Sequence, residues 1–137
     1  LQGIVKPYIV IKRSGLRIGV FGICPPMDGL VDAAKCEGVK YLDPIKTADD
    51  VARMLKRDKK CDLVVCLSHL GWIVKQNVDD HKMMSGNHDI DVVLGGHSHT
   101  FFETLQYIEN ADGKKIPNDQ NGKNAIFVGK LLLTMQR

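Results

Sequence analysis

No apolar run in this chain approaches the roughly 20 residues needed to span a bilayer, so nothing in it reads as a membrane helix. Charge of one sign is scarce as well. A formal net charge of +3, spread along 137 residues, leaves no nucleic-acid footprint. The densest basic run, residues 57–60 with Asp58 inside it, follows a helical segment, where cations suit the dipole. The four cysteines have no zinc-ligand spacing. Cys61 and Cys66 fall about 16 Å apart on an extended strand, too far for a disulfide. Cys24 and Cys36 can pair only if the loop between them folds back, and Cys66 reads as a small buried hydrophobe. Repeats and low-complexity tracts are absent too. What remains, 44% hydrophobic and 26% charged, is an ordinary globular composition for a single α/β unit.

The local signals can be placed along that unit. Residues 7–13 and 16–23 alternate apolar and polar around Ser14-Gly15, which predicts a hairpin. Asp43-Pro44, followed by Ile45, Ala48, Val51, Ala52 and Leu55, predicts a capped helix with one apolar stripe. Two continuous apolar runs come next, one beginning at Asp62 and one at Asp91. Runs of that kind suit strands of a parallel sheet. Residues 73–85 between them read as the crossover helix, with His81 beside Asp79 and Asp80 on a polar, solvated face. Further on, residues 102–109 and 125–135 are expected as antiparallel strands, with a turn at residues 111–114.

Chemistry concentrates just past the two apolar runs. The first ends in Ser68-His69-Leu70-Gly71, the second in Gly95-Gly96-His97-Ser98-His99-Thr100. In an extended backbone residues i and i+2 project to one side, so His97 and His99 can enter one pocket. Gly95 and Gly96 are expected to supply backbone angles that a side chain forbids. A right-handed crossover puts parallel strands side by side with their carboxyl ends on one rim. His69 can then share a metal ion with His97, at the rim where ligands of open α/β sheets collect. Ser68 and Ser98 tempt as nucleophiles, but no base-orienting carboxylate accompanies them. Trp72 is expected to pack, with lining of a phosphate pocket as the other reading. Gly71 is expected to let the backbone approach the metal loop.

These two histidine motifs resemble the last two signature motifs of the calcineurin-like metallophosphoesterases, and more narrowly those of the bacterial 5′-nucleotidase branch. Residues 5–8, 19–23, 119–123 and 127–130 are similar to the same branch. The resemblance implies a layered α/β/β/α sandwich with metal-binding loops at the carboxyl ends of strands. It implies two divalent metal ions (Zn, Mn or Fe), His69 and His97 on one and His99 on the other, with an activated water attacking a phosphate ester. The activity implied is hydrolysis of nucleoside monophosphates, in the periplasm or cell envelope. Unpaired cysteines pull towards a reducing compartment instead.

The family's earlier motifs, an Asp-x-His pair, a Gly-Asp-x-x-Asp carboxylate and a Gly-Asn-His-Glu/Asp segment, have no counterpart before Ser68. Gly86-Asn87-His88-Asp89 spells the last of them but stands where a helix should stop. Three histidines without a carboxylate are a poor cradle for two dications. Residues 1–137 are therefore expected to be the carboxyl-terminal half of a catalytic domain, inactive alone, with the amino-terminal half as partner. The opening at Leu1 without methionine and the close at Arg137 in an apolar stretch fit that expectation. A separate carboxyl-terminal domain would choose the base and sugar. The alternatives are a non-catalytic module that keeps the fold and a metal, or a hydrolase of diesters or nucleotide sugars.

Overall fold

The computed structural model describes residues 3–135; the two chain ends that the expectation of a half domain invoked lie outside them. Six strands form one mixed sheet in the order β1-β2-β3-β4-β6-β5. They are β1 Tyr8–Arg13, β2 Leu16–Ile23, β3 Leu63–Ser68, β4 Val92–Leu94, β5 Gln106–Glu109 and β6 Lys115–Asp119. Strands β2, β3, β4 and β6 run parallel to one another. Their carboxyl ends therefore share one rim, as the strand–crossover–strand reading expected.

The outer strands are antiparallel additions. β1 joins β2 through Ser14 and Gly15, both with positive φ (50° and 78°). Two consecutive left-handed residues make the turn whose twist matches that of the strands it joins. β5 joins β6 through a turn organised by Asn110, whose Oδ1 accepts from the amides of Asp112 and Lys114. β6 replaces the strand expected at residues 125–135, which form no strand in the described chain. The sequence hides β6 because Pro117 sits inside it. The proline is tolerated because β4 pairs only with Asn118 and Asp119 and leaves position 117 free on that side.

Helix α1, Pro44–Arg57, starts where expected: the Asp43 carboxylate accepts from the Lys46 amide at 2.9 Å, with proline in the first turn. Its stripe of Ala48, Ala52 and Leu55 is fully buried and packs on β2 and β3. The approach is close: a Cβ on Gly19 would lie 3.0 Å from Leu55 Cδ1. Full burial of a leucine contributes about 1.5–3 kcal/mol, so this contact is a main support of the core. The crossover helix is much shorter than expected. Only α2, Asp80–Ser85, is helical, because Asp79 caps it by accepting from the Lys82 amide. Residues 72–78 are held instead by side-chain bonds: the Trp72 amide donates to Ser98 Oγ, the Val74 amide to Asp79 Oδ2, and Lys82 Nζ to the Asn77 carbonyl.

Both helices cover the same face of the sheet, which Phe21, Val64, Cys66, Val93, Ile108 and Ile116 fill. The other face is apolar but largely open: Leu67 is 48% exposed and Leu94 38%. So β3 is buried on one side rather than on both, as its continuous apolar run suggested. Near the sheet's far end Leu133 and Met135 lie beside Leu16, Ile18 and Leu63. One helical layer and one sheet are thus present, two of the four layers of the expected sandwich. All four cysteines are free, Cys24 and Cys36 included. No helix among the described residues is long and apolar enough to cross a membrane.

Candidate metal-binding rim

The ends of β3, β4 and β6 deliver Ser68-His69, Gly95 to Thr100, and Gln120 to the common rim. His69 is anchored there by its amide, which donates to the Ile23 carbonyl at 2.8 Å. Gly95 is anchored likewise, donating to the Asp119 carbonyl at 2.9 Å. The imidazoles of His69 and His97 stand edge to face with centroids 5.0 Å apart. Two imidazoles bound to one tetrahedral ion, with Zn–N near 2.0–2.1 Å, have centroids about 5 Å apart. The spacing of the pair is compatible with two imidazoles on a single ion.

His99 does not join that pair. No group of three or more His, Cys, Asp or Glu among the described residues is close enough to hold an ion. The reason lies in the backbone. His97 and His99 both have positive φ, 73° and 56°, so the segment is coiled rather than extended and the alternation rule does not apply. The Ser98 amide donates to the Gly96 carbonyl at 3.0 Å, closing a three-residue turn on His97. Such turns with positive φ are rare and strained for a residue with a side chain.

The glycines act through space more than through angle. Neither Gly95 nor Gly96 has the positive φ expected of it. A Cβ on Gly95 would lie 2.5 Å from Asp80 Oδ2, and one on Gly96 3.4 Å from His69 Nδ1. Gly71 needs both freedoms: its φ is 91°, and a Cβ there would lie 2.8 Å from Val74 and 3.4 Å from His97. That matches the close approach expected of it.

Beneath the turns lies a polar cluster that sequence reasoning missed. Asp79 and Asp80 were expected on a solvated face, yet they are 3% and 0% exposed. Asp80 accepts from the Ser68 hydroxyl, from Asn118 Nδ2 at 3.1 Å and from Gln120 Nε2 at 2.8 Å. Burial pushes its carboxyl above the ordinary value, against the pull of those three donors, and the charge of Asp79 adds to the rise. For Asp79 the balance is opposite. Burial raises it, but amide bonds from Lys82 and Val74 with the Lys82 ammonium together hold it low. The missed signal was spacing: Asp80, Met83 and Met84 stand at i, i+3 and i+4, one inward stripe.

The serines are occupied as hydrogen-bond links. Ser98 Oγ accepts from the Trp72 amide at 3.0 Å, donates to Gln120 Oε1 at 3.3 Å and meets Thr100 Oγ1 at 2.8 Å. Trp72 is half-buried, edge-on to Phe102 and to His81. His88 belongs elsewhere. It precedes β4, whereas His97 follows it, so the two lie towards opposite ends of that strand, and His88 Nδ1 is 2.9 Å from Asp49 Oδ1. Asn87 is a turn residue whose Oδ1 accepts from the amides of Asp89 and Ile90.

No family model matches the sequence. Among curated proteins the chain is 32% identical over 108 residues to an apyrase of Tabanus yao, covering 78% of this chain and 18% of that protein. It is 23% identical over 108 residues to a trifunctional nucleotide phosphoesterase of Bacillus subtilis, 79% of this chain and 7% of that one. Other relatives carry the name 5′-nucleotidase. Among solved structures, the calcineurin-like phosphoesterase YfkN of Bacillus subtilis superposes with a TM-score of 0.68 at 19% identity, over 88% of this chain and 42% of that one. The chain spans a quarter or less of its curated relatives' length. Sequence and fold together make it a homologue of the 5′-nucleotidases and calcineurin-like phosphoesterases, with the α/β fold of that family.

Proposed function

We propose that this chain supplies ligands to the two-metal site of a phosphomonoesterase acting on nucleoside monophosphates, His69 and His97 to one ion and His99 to the other. The observation that carries the reading is the 5.0 Å edge-to-face pairing of His69 with His97 on the common rim. Zn, Mn or Fe held there supplies Lewis acidity towards a phosphoryl oxygen and lowers the pKa of water. The chain's own part is to bind and to orient. The strained turn at His97 aims its imidazole at that of His69, and Gly71 and Gly96 leave room for both.

Residues 1–137 act as the carboxyl-terminal half of a catalytic domain and are inactive alone. Two imidazoles leave a tetrahedral ion half ligated, and carboxylates must come from the amino-terminal half that is the chain's partner. The open apolar face of the sheet is the surface that this half covers. Base and sugar choice belongs to a further domain, and the reading carries with it a periplasmic or envelope location.

Site-resolved proton NMR tests the ligand set. Adding Zn²⁺ should shift and broaden the ring resonances of His69 and His97 before those of His81 and His88. Equal response of all five histidines would sink the pairing. For the activity, a longer chain carrying the acidic motifs should hydrolyse AMP to adenosine and phosphate faster than it cleaves a phosphodiester to a monoester and an alcohol, and His97→Ala should abolish the AMP hydrolysis. Preference for the diester would favour the phosphodiesterase reading.

A further inference from the structure

Both histidine turns hang from one buried carboxylate. From Asp80 one path runs to the Ser68 hydroxyl, which also accepts from the Leu70 amide at 3.2 Å. Ser68 and Leu70 flank His69. The other path runs to Gln120 Nε2 at 2.8 Å, and from Gln120 Oε1 to Ser98 Oγ at 3.3 Å. Ser98 stands between His97 and His99. The Asp80 amide closes the arrangement by donating to the Gly71 carbonyl at 2.7 Å, just past the His69 turn.

We propose that Asp80 is the positioning residue of the rim, fixing the mutual placement of His69 and His97 through Ser68 and through the Gln120–Ser98 link. This rests on His69 and His97 being metal ligands. A carboxylate with no exposed surface is costly to bury, and an apolar side chain among Met83, Met84 and Cys66 would avoid that cost. What a carboxylate offers is two oxygens that gather three donors, one from the end of β3 and two from the end of β6. The structure makes room for it: Gly95 has no Cβ, and one there would lie 2.5 Å from both Asp80 Oδ2 and Gln120 Nε2. Ser68 and Ser98 thereby act as links to the neighbouring histidines rather than as nucleophiles.

The test uses the 137-residue chain with Zn²⁺ alone as probe, and three variants. Asp80→Asn keeps the shape and can keep the bonds, with Ser68 accepting instead of donating. Asp80→Leu removes them. Ser98→Ala cuts one path at an exposed residue outside the buried core. Zn²⁺ affinity read at the His69 and His97 ring resonances should fall at least about tenfold for Asp80→Leu and for Ser98→Ala, the usual effect of losing an outer-shell partner. Asp80→Asn should stay within about threefold, which a merely structural loss of charge would not predict.

Wild-type affinity in folded Asp80→Leu and in Ser98→Ala overturns the proposal. Where Asp80→Leu does not fold, Ser98→Ala decides alone. Should the wild-type chain show no Zn²⁺ response at either ring, the ligand reading fails. Positioning is then judged in the metal-free chain by the Overhauser contact between the His69 and His97 rings. Loss of that contact in Ser98→Ala sustains it, and persistence overturns it.

Discussion

His88 Nδ1 lies 2.9 Å from Asp49 Oδ1, and the His88 amide donates to the same oxygen at 3.1 Å. One carboxylate of α1 thus holds the turn that leads into β4. The hydrogen bond to Asp49 raises the His88 pKa above its ordinary 6.5. For Asp49 burial pushes upward, but the side-chain and amide bonds of His88 win and hold it below 3.8. A raised histidine contributes stability that is full below its unfolded pKa and lost as pH rises through the folded one. A depressed carboxylate contributes above its unfolded pKa, and that is lost as pH falls through the folded one. The pair therefore stabilises most between the two ordinary values. Urea unfolding of His88→Gln against the wild type should show a deficit at pH 5 to 6 (a range of about one unit between those limits) that shrinks above pH 7. A deficit unchanged through pH 8 would mean the ring contributes by packing alone.

Leu55 and Gly19 meet where α1 lies closest to the sheet. Leu55 is fully buried, and the space a Gly19 Cβ would take is 3.0 Å from its Cδ1. Leu55→Ala should cost about 2–5 kcal/mol, the range for large-to-small changes in a core. Asp43→Ala removes only the cap at the start of the same helix and should cost about 1 kcal/mol. Denaturant midpoints of the two variants check the ordering, and a larger loss for the cap would contradict it.

Much of this fold was legible because its signals are local. Ser14-Gly15 dictates its turn and Asp43-Pro44 its helix start. The apolar runs of β3 and β4 force a parallel pair, which alone puts His69 and His97 on one rim. What was hidden depends on distant partners. Pro117 argues against a strand unless one knows that β4 stops short of it. Residues 72–78 look helical in pattern, yet Trp72 is tied to Ser98 and Asp80 to Gly71, contacts that only the folded sheet creates. Asp80, written between Asp79 and His81, reads as polar surface until its spacing to Met83 and Met84 is counted. The left-handed turn at His97 left no local mark, since a histidine there is strained and glycine was available one residue earlier.

Gly95 and Gly113 separate steric from torsional need. At Gly95 the angle is ordinary, but a Cβ would lie 2.5 Å from Gln120 Nε2, inside the polar cluster. At Gly113 nothing lies within 4 Å, but φ is +76°. Gly95→Ala should cost about 1–3 kcal/mol through overpacking and shift the His97 ring resonances. Gly113→Ala should cost about 1 kcal/mol through backbone strain and leave His97 unmoved. A shift of His97 in both, or in neither, would show that the Gly95 contact does not transmit to the rim.

The open face of the sheet carries Ile11 at 43% exposure, Leu67 at 48% and Tyr107 at 55%. Apolar side chains left exposed on three strands of one sheet face suit an interface and, where it is missing, are an aggregation liability. With that face uncovered, the 137-residue chain should bind a hydrophobic dye and self-associate as its concentration rises. Lysine at Ile11 and Leu67 should suppress both effects. Each side chain is already half in water, so the folded state should change by no more than about 0.5 kcal/mol. The same substitutions in a chain that also holds the amino-terminal half should be strongly destabilising, because there the lysines would be buried without partners. Sedimentation velocity on the short chain and melting of the long one decide the matter. If the short wild-type chain stays monomeric and the lysines are harmless in the long one, the helix-free face is a solvent surface and the proposal that another half covers it fails.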